Sequence, residues 1–496
     1  MKRFFSPHLF LLSSILALSV AWELGYSPLS LESGAGVLIG VVLGALLSAL
    51  SMWSPTLRVI FIVFIFLSMM DIYFLPEAWQ AAVGLAIGLL LALKFRSKLP
   101  VNVLVIMALV FLVGLLYQDV RHRGAAPVVL SDANEPGDEL IVHLVMDELG
   151  SLDSVPLTSG QQREANAIMA AYAERGFRLY ENVLSLTPDT QKSMSVLMDI
   201  SFKEDLDGNV QRVPGKNAYR ILNNRLQTHV RSEGWTVAVV QPEYLDYCEP
   251  TFQCFTYGLA NSMGVFEDVQ DWQLRLRIFF RESAVMLASA SRGWIVFENL
   301  GNSLIKSSLL KKGWSNPTTP LVSLRQVDLL QRALTGAAGT GRRYVFAHIL
   351  SPHFPWIFDA HCKVKDIEKW ALPYASRAEL RVGAQQEAID AYWDQSMCAH
   401  RTVLRFIDAL DAVHLGRVSF VIHGDHGPRT MARSFPSDGA GMDEQVRKNL
   451  LASFVASRLK SDRGREKPQQ ANLQVLIYEL IEAEAKARAA DTQSRH

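Results

Sequence analysis

The sequence has no excess of charge of either sign: 49 Lys and Arg stand against 49 Asp and Glu in 496 residues, with a pI near 7.2. A basic nucleic-acid footprint is therefore not expected, and no nucleic-acid partner is assigned. Charge of any kind is scarce at the start. Residues 1–118 hold ten charged side chains: Lys2, Arg3, Glu23, Glu32, Arg58, Asp71, Glu77, Lys94, Arg96 and Lys98. The other 88 lie in the remaining 378 residues, which excludes a fully soluble cytosolic protein. Cysteine is also scarce. The four, Cys248, Cys254, Cys362 and Cys398, show no C-x-x-C spacing, which argues against a cysteine metal site. No internal repeat or low-complexity tract stands out.

What residues 1–118 do have is five apolar stretches of bilayer-crossing character, about Leu9–Trp22, Ala35–Trp53, Leu57–Leu75, Trp79–Lys94 and Val101–Gln118. The first and fourth are short, and tilt or flanking residues complete the span. Gly34, Gly36, Gly40 and Gly44 lie along the second at a spacing that lets helices approach closely. Lys2, Arg3, Arg58, Lys94, Arg96 and Lys98 occupy alternate loops, while the others hold Glu23, Glu32 and Glu77. Positive loops inside put the N-terminus in the cytoplasm, and five spans deliver everything after Gln118 to the extracytoplasmic side. Reading the first stretch as a cleaved signal peptide lacks support, because no small-x-small cleavage site follows it. The cysteines agree with export: all four follow the spans, and two disulfides are expected, with Cys248–Cys254 and Cys362–Cys398 favoured among three pairings.

Residues 119–138 read as a polar linker, 139–460 as an exported domain, and 461–496 as a charged tail with an amphipathic helix at Asn472–Arg488. Leu140–Met146, Arg178–Leu184, Tyr344–Leu350 and Val418–Ile422 read as strands. Gln161–Arg175, Leu274–Leu287 and Gln385–Leu410 read as helices. The alternation predicts an α/β domain with a mostly parallel sheet, whose functional residues collect beyond the strands' carboxyl ends.

Three such ends carry chemistry. Asp147-Glu148 follow the first strand. His423-Gly424-Asp425-His426-Gly427 follow VSFVI. Ser185–Asp199 forms a hydroxyl-rich turn leading into an apolar helix, where Thr190 is placed as a nucleophile near a positive helix end. Each has a plainer reading: a solvated loop start for the acids, and helix caps for Thr187 and Thr190. The HGDHG run resists one, since two His and an Asp directly after a buried strand are costly unless they bind something.

These features together resemble the sulfatase-like branch of the alkaline phosphatase superfamily. They are most similar to its five-span bacterial members, the lipoteichoic acid synthases and the phosphoethanolamine or phosphoglycerol transferases. The resemblance rests on the five spans, the strand ending in an acid, the Thr-containing turn, the late Ser351-Pro-His353-Phe-Pro355-Trp segment and the terminal Asp-His pair. It implies a metal site of Glu148, Thr190, Asp425 and His426, with Asp147 as a further ligand. It also implies a substrate-binding His353 with His348 as the neighbouring alternative. True sulfatases require Cys or Ser in a C/S-x-P-x-R context. The run Thr190-Gln-Lys-Ser-Met194 lacks both and resembles the phospho-transferring branch.

The implied reaction moves a phosphoethanolamine or phosphoglycerol headgroup from a membrane phospholipid donor, through phospho-Thr190, to an envelope glycan or lipid acceptor. His353 would hold phosphate or protonate the leaving oxygen, and Lys192 and Arg429 would offset phosphate charge. The donor set suits a divalent cation, zinc or manganese first, with magnesium or calcium also compatible. The expected place is a bacterial inner membrane, with the catalytic domain in the periplasm. Two alternatives use the same chain: a non-catalytic lipid sensor or scaffold, and a hydrolase that hands the group to water.

Overall fold

The computed structural model describes residues 13–14, 16–18, 20–21, 26, 30–51, 139–200, 209–213, 218–258, 265–290, 318–336, 341–370, 384–415, 417–431, 443–462, 468 and 470–493. The chain divides into two compact units. One comprises Met1–Ala126 with Leu259–Thr318, the other Pro127–Gly258 with Thr319–His496. The sequence reading instead counts 259–318 within the exported domain 139–460.

In the first unit, a helix runs over Leu31–Ser51, four residues earlier than the stretch expected from Ala35. Its segment Leu31–Ala49 has mean hydropathy 1.8 and is the one helix among the described residues long and apolar enough to cross a membrane. The first expected span is only partly described, and those at 57–75, 79–94 and 101–118 lie outside the described residues. The glycines act as expected at two positions. A Cβ at Gly40 would meet the Ser13 carbonyl oxygen at 2.5 Å, and one at Gly36 the Phe279 ring at 2.9 Å. A second helix covers Trp272–Ala290.

The second unit is α/β, and its elements are labelled in chain order. Strand β1 (Glu139–Met146) is followed by α1 (Ser159–Glu174), β2 (Arg178–Tyr180), β3 (Val183–Leu184) and α2 (Thr190–Asp199). Next come β4 (Val210–Arg212), β5 (Tyr219–Ile221), α3 (Arg225–Ser232), β6 (Thr236–Pro242), β7 (Leu245–Asp246), β8 (Gln253–Tyr257), α4 (Thr318–Gly336) and β9 (Arg342–Ile349). The last are α5 (Ala384–His414), β10 (Val418–Gly424), α6 (Glu444–Leu451), β11 (Val455–Arg458), β12 (Ala471–Asn472) and α7 (Leu473–Gln493). The main sheet has the order β2-β11-β10-β1-β9-β6-β8. The five strands from β10 to β8 are parallel, and β11 joins them antiparallel. The mostly parallel expectation therefore holds, with one antiparallel strand, β11, next to the β2 edge.

The central strands are continuous apolar runs because both faces are covered. Ile141, Val145, Phe346 and Val421 on one face pack on Met194 and Leu197 of α2, Leu226 and Val230 of α3, and Leu476, Ile477 and Leu480 of α7. That last helix is the amphipathic one expected at Asn472–Arg488. The charged tail is a core element, and its Glu484 and Arg488 are buried against each other and Ser419. On the other face, Phe420 meets Phe177 and Phe406.

Register sets the site. Leu140 pairs with Val418 and Met146 with Gly424, so Asp147 and Asp425 leave neighbouring strands at the same level. Gly424 permits this: a Cβ there would come within 2.1 Å of the Leu149 carbonyl oxygen. Gly427 is needed in the same way against the Asn449 carbonyl, at 2.4 Å. The glycines of HGDHG thus let two strand exits close on each other.

Both favoured disulfides form, Cys248–Cys254 and Cys362–Cys398. The second joins the segment after β9 to α5 across 36 residues. Loop-closure entropy at that length predicts that Cys362→Ala with Cys398→Ala costs about 2–4 kcal/mol, read as a lower denaturant midpoint. An unchanged midpoint under oxidising conditions would remove the bridge from the stability account.

Buried histidines set the acid limit. His400, fully buried beside Tyr172 and Phe454, is pushed down to about 3 by desolvation. Its folded value lies below the unfolded one of about 6.5, so its contribution is complete above that pH and is lost as pH falls toward 3. His400→Phe should flatten the acid limb of a stability–pH profile, whereas an unaltered limb would assign it to other groups.

Candidate active site

Thr190 is the first residue of α2, with Asp189 as the N-cap. Its side chain does not cap. Thr187 Oγ1 accepts the Asp189 N–H at 3.3 Å instead, which leaves the Thr190 hydroxyl 3.1 Å from His426 Nε2 and 3.3 Å from Asp147 Oδ1. Ser193, one turn on, donates to the Asp425 carbonyl at 2.6 Å and fixes α2 to the β10 exit. Three elements that are distant in sequence are thereby brought to one hydroxyl.

The two adjacent carboxylates divide. Asp147 is the one that meets Thr190. Glu148, at φ 63°, is turned the other way: its Oε1 accepts from Arg429 Nε at 2.9 Å and from Arg429 Nη2, and lies 3.8 Å from His353 Nε2. The left-handed backbone at Glu148 is held on both sides, its N–H donating to Asp425 Oδ1 at 2.9 Å and its carbonyl accepting from Tyr392 at 3.1 Å. Asp147 thus faces the hydroxyl, and Glu148 anchors Arg429. Arg429 is buried and bound to a carboxylate, while Lys192 is half-buried in the first turn of α2.

Asp147, His348 and Asp425 offer ligand atoms that lie within 4.8 Å of one another, all buried. His426 Nε2 is 3.2 Å from Asp425 Oδ2 and 4.0 Å from Asp147 Oδ1. Burial, then the like charges of Asp425 and Glu148, raise the Asp147 carboxyl well above its usual range. His348 is pushed down to about 4 and His426 to about 3, in both cases mainly by desolvation. Both rings are therefore neutral at pH 7, the state in which imidazole binds a metal. Their ring orientations follow from their partners. His426 Nδ1 must donate to the Gly427 carbonyl at 2.8 Å, which leaves its Nε2 lone pair to the cluster, while His348 Nδ1 is taken up by the Tyr247 hydroxyl at 2.7 Å and its Nε2 faces Asp147, whatever its tautomer.

The donor set fits a divalent cation. Asp425 Oδ2 and His348 Nε2 are buried and make no hydrogen bond, an expensive state for polar atoms that a cation would relieve. Carboxylate oxygens, a hydroxyl and neutral imidazoles suit zinc or manganese.

Residues with no motif around them complete the site. Gln395 of α5, fully buried, donates to the carbonyls of Pro352, His353 and Pro355 and accepts from the N–H groups of Ile357 and Phe358. It holds the loop that carries His353, which stays partly exposed and stacked on Phe354. Burial, then the nearby Asp147 charge, pushes the Tyr244 phenol well above its usual range, which keeps it protonated. His423 points into the sheet, not the site, with Nε2 2.8 Å from His143 and Nδ1 2.7 Å from the Gly424 carbonyl.

No family model and no curated protein matches the chain. Among solved structures it is similar to the periplasmic domain of the phosphoethanolamine transferase EptC from Campylobacter jejuni, at 11% identity over 70% of this chain and 89% of that one, TM-score 0.37. It is also similar to the integral membrane lipooligosaccharide phosphoethanolamine transferase A from Neisseria meningitidis, at 14% identity over 92% and 80%, TM-score 0.37. A third is the zinc complex of the EptC periplasmic domain from Escherichia coli, at 11% identity over 72% and 84%, TM-score 0.38. These are loose overlaps, and the site's own geometry carries the argument.

Proposed function

We propose that the second unit is a metal-dependent phosphotransferase that takes a headgroup phosphate, phosphoethanolamine or phosphoglycerol, from a membrane phospholipid onto Thr190 and passes it to an envelope glycan or lipid. The observation that carries this reading is the Thr190 hydroxyl, aimed from the start of α2 at Asp147 and His426 at the carboxyl ends of a parallel sheet. A hydroxyl placed only to cap its helix would not meet two acceptors from two other strands.

Asp147, Asp425 and His426 would hold the cation with Thr190, and His348 adds a fourth side-chain donor. Bound there, a divalent ion supplies positive charge against a phosphodiester and lowers the hydroxyl's pKa. The chain does the rest. Thr190 Oγ1 bonds to phosphorus as the bond to the diacylglycerol oxygen breaks in line. With His426 Nε2 given to the cation, the hydroxyl proton passes to Asp147 Oδ1, 3.3 Å away, while Asp147 Oδ2 faces His348. His353, partly exposed and held by Gln395 through the neighbouring backbone, is placed to protonate the departing oxygen. In the second half-reaction an acceptor hydroxyl attacks the same phosphorus and Thr190 is regenerated.

Mass spectrometry of the Thr190 peptide tests this. The full chain would be incubated with zinc or manganese and liposomes of phosphatidylethanolamine and phosphatidylglycerol. A phosphoethanolamine or phosphoglycerol adduct on Thr190 is expected, and its mass names the headgroup. Folded, metal-loaded protein with an unmodified Thr190 on every lipid would overturn the reading in favour of a non-catalytic role.

A further inference from the structure

Residues 259–318 carry seven Lys and Arg against five Asp and Glu, and three of the chain's ten Trp: Trp272, Trp294 and Trp314. The chain leaves the catalytic unit after Gly258 and returns to it at Thr319, and the stretch between packs in the N-terminal unit.

The contacts there are specific. The Tyr26 ring stacks on Phe266 at 4.6 Å between centroids and meets Phe279 edge-on at 5.2 Å. Glu32, 1% exposed, forms an ion pair with Arg275 Nε at 3.0 Å. One turn further on, Gly36 makes room for the Phe279 ring. The two pairs, 32 with 275 and 36 with 279, each advance by four residues. The Leu31–Ser51 and Trp272–Ala290 helices therefore run side by side in the same direction over this turn.

That pairing gives a depth scale. Past the paired Glu32 of its first turn the Leu31–Ser51 helix carries no charge, and its exposed Leu38, Ile39, Val42 and Leu46 need hydrocarbon around them. Arg275 stands level with the helix start and Phe279 one turn, about 5–6 Å, deeper. Away from the shared seam, Trp272 is 52% and Phe280 41% exposed. Arg275 and Arg277 near the entry level, Trp272 just above them, Phe279 and Phe280 a turn deeper and Arg281, whose long stem lets its charge reach back toward the headgroups, form the profile of a helix seated between headgroups and acyl chains. The side of the membrane follows independently. Positive loops inside place the Glu32 end of the span on the exported side, the side on which the catalytic unit is expected.

We propose that the Trp272–Ala290 helix is a membrane-embedded element of the outer leaflet, with Trp272 and Phe280 in contact with phospholipid. The occupant of this face is lipid because the helix beside it presents hydrocarbon side chains from the same depth downward. The inference rests on packing within the N-terminal unit and stands whether or not Thr190 is a nucleophile.

Photo-crosslinking of the full chain in its native membrane tests it. p-Benzoylphenylalanine would replace Trp272 or Phe280, and Leu38 as the reference for a lipid-facing position. The expected result is a mass increase of one phospholipid at 272 and 280, in a yield comparable to that at 38. Lipid adducts at 38 alone, with 272 and 280 unreacted or joined to protein, would overturn the proposal. Absence of lipid adducts at all three would overturn it together with the span itself. Neither outcome depends on catalytic turnover.

Discussion

Thr190→Ala should leave the protein folded and metal-loaded and reduce headgroup transfer by at least about a thousandfold, because it removes the atom that bonds to phosphorus. The substitution is mild for the fold. Position 190 opens α2, Ala is a good helix former, and the Thr190 hydroxyl is turned to Asp147 and His426, so no cap is lost with it. Thr190→Ser keeps the hydroxyl and loses one methyl group, so it should retain measurable transfer and acquire the adduct on serine. The pair of variants separates a nucleophile from a structural threonine. An Ala variant with unchanged rate would return Thr190 to the role of an ordinary first-turn residue.

Much of this site was legible because its residues sit where an apolar run stops. LIVHLVM and VSFVI are strands buried on both faces, and the acids and histidines that follow them must lie at the sheet's edge. The split between Asp147 and Glu148 was not legible. It depends on the left-handed backbone at Glu148 and on Arg429, 281 residues away, neither of which leaves a mark in the local sequence. Gln395 and Tyr247 were invisible for a related reason, since a single polar residue in a helix or loop shows its importance only once its partners are known.

Charge in an amphipathic helix does not by itself mark solvent: Glu484 and Arg488 satisfy each other inside the core, and Arg275 satisfies Glu32. Composition reports which groups are present; pairing decides whether they need water.

Asp425→Asn should remove most of the stabilisation by metal while leaving the apo fold intact or slightly more stable. Asp425 Oδ1 accepts the N–H groups of Glu148 and His426 at 2.9 and 3.0 Å, and the Asn carbonyl oxygen can keep both bonds. What Asn lacks is the charge and the second oxygen, Oδ2, which makes no hydrogen bond. Without metal that charge is a liability, because it is one of the causes that raise the Asp147 carboxyl. Removing it moves Asp147 back toward its ordinary range and relieves like-charge repulsion in a buried site. With metal the sign reverses. A saturating cation stabilises the folded state by RT ln(1 + [L]/Kd), about 4 kcal/mol at a thousandfold excess over Kd. Loss of a ligand should cut affinity by more than the 10–100-fold typical of outer-sphere changes, and so erase most of that gain. Thermal unfolding with and without zinc or manganese, alongside metal content by mass spectrometry, reads both signs at once. Wild-type and Asp425→Asn proteins that bind and respond to metal equally would show that the Asp147, His348 and Asp425 cluster is not the cation site, and the transfer mechanism built on it would fall with it.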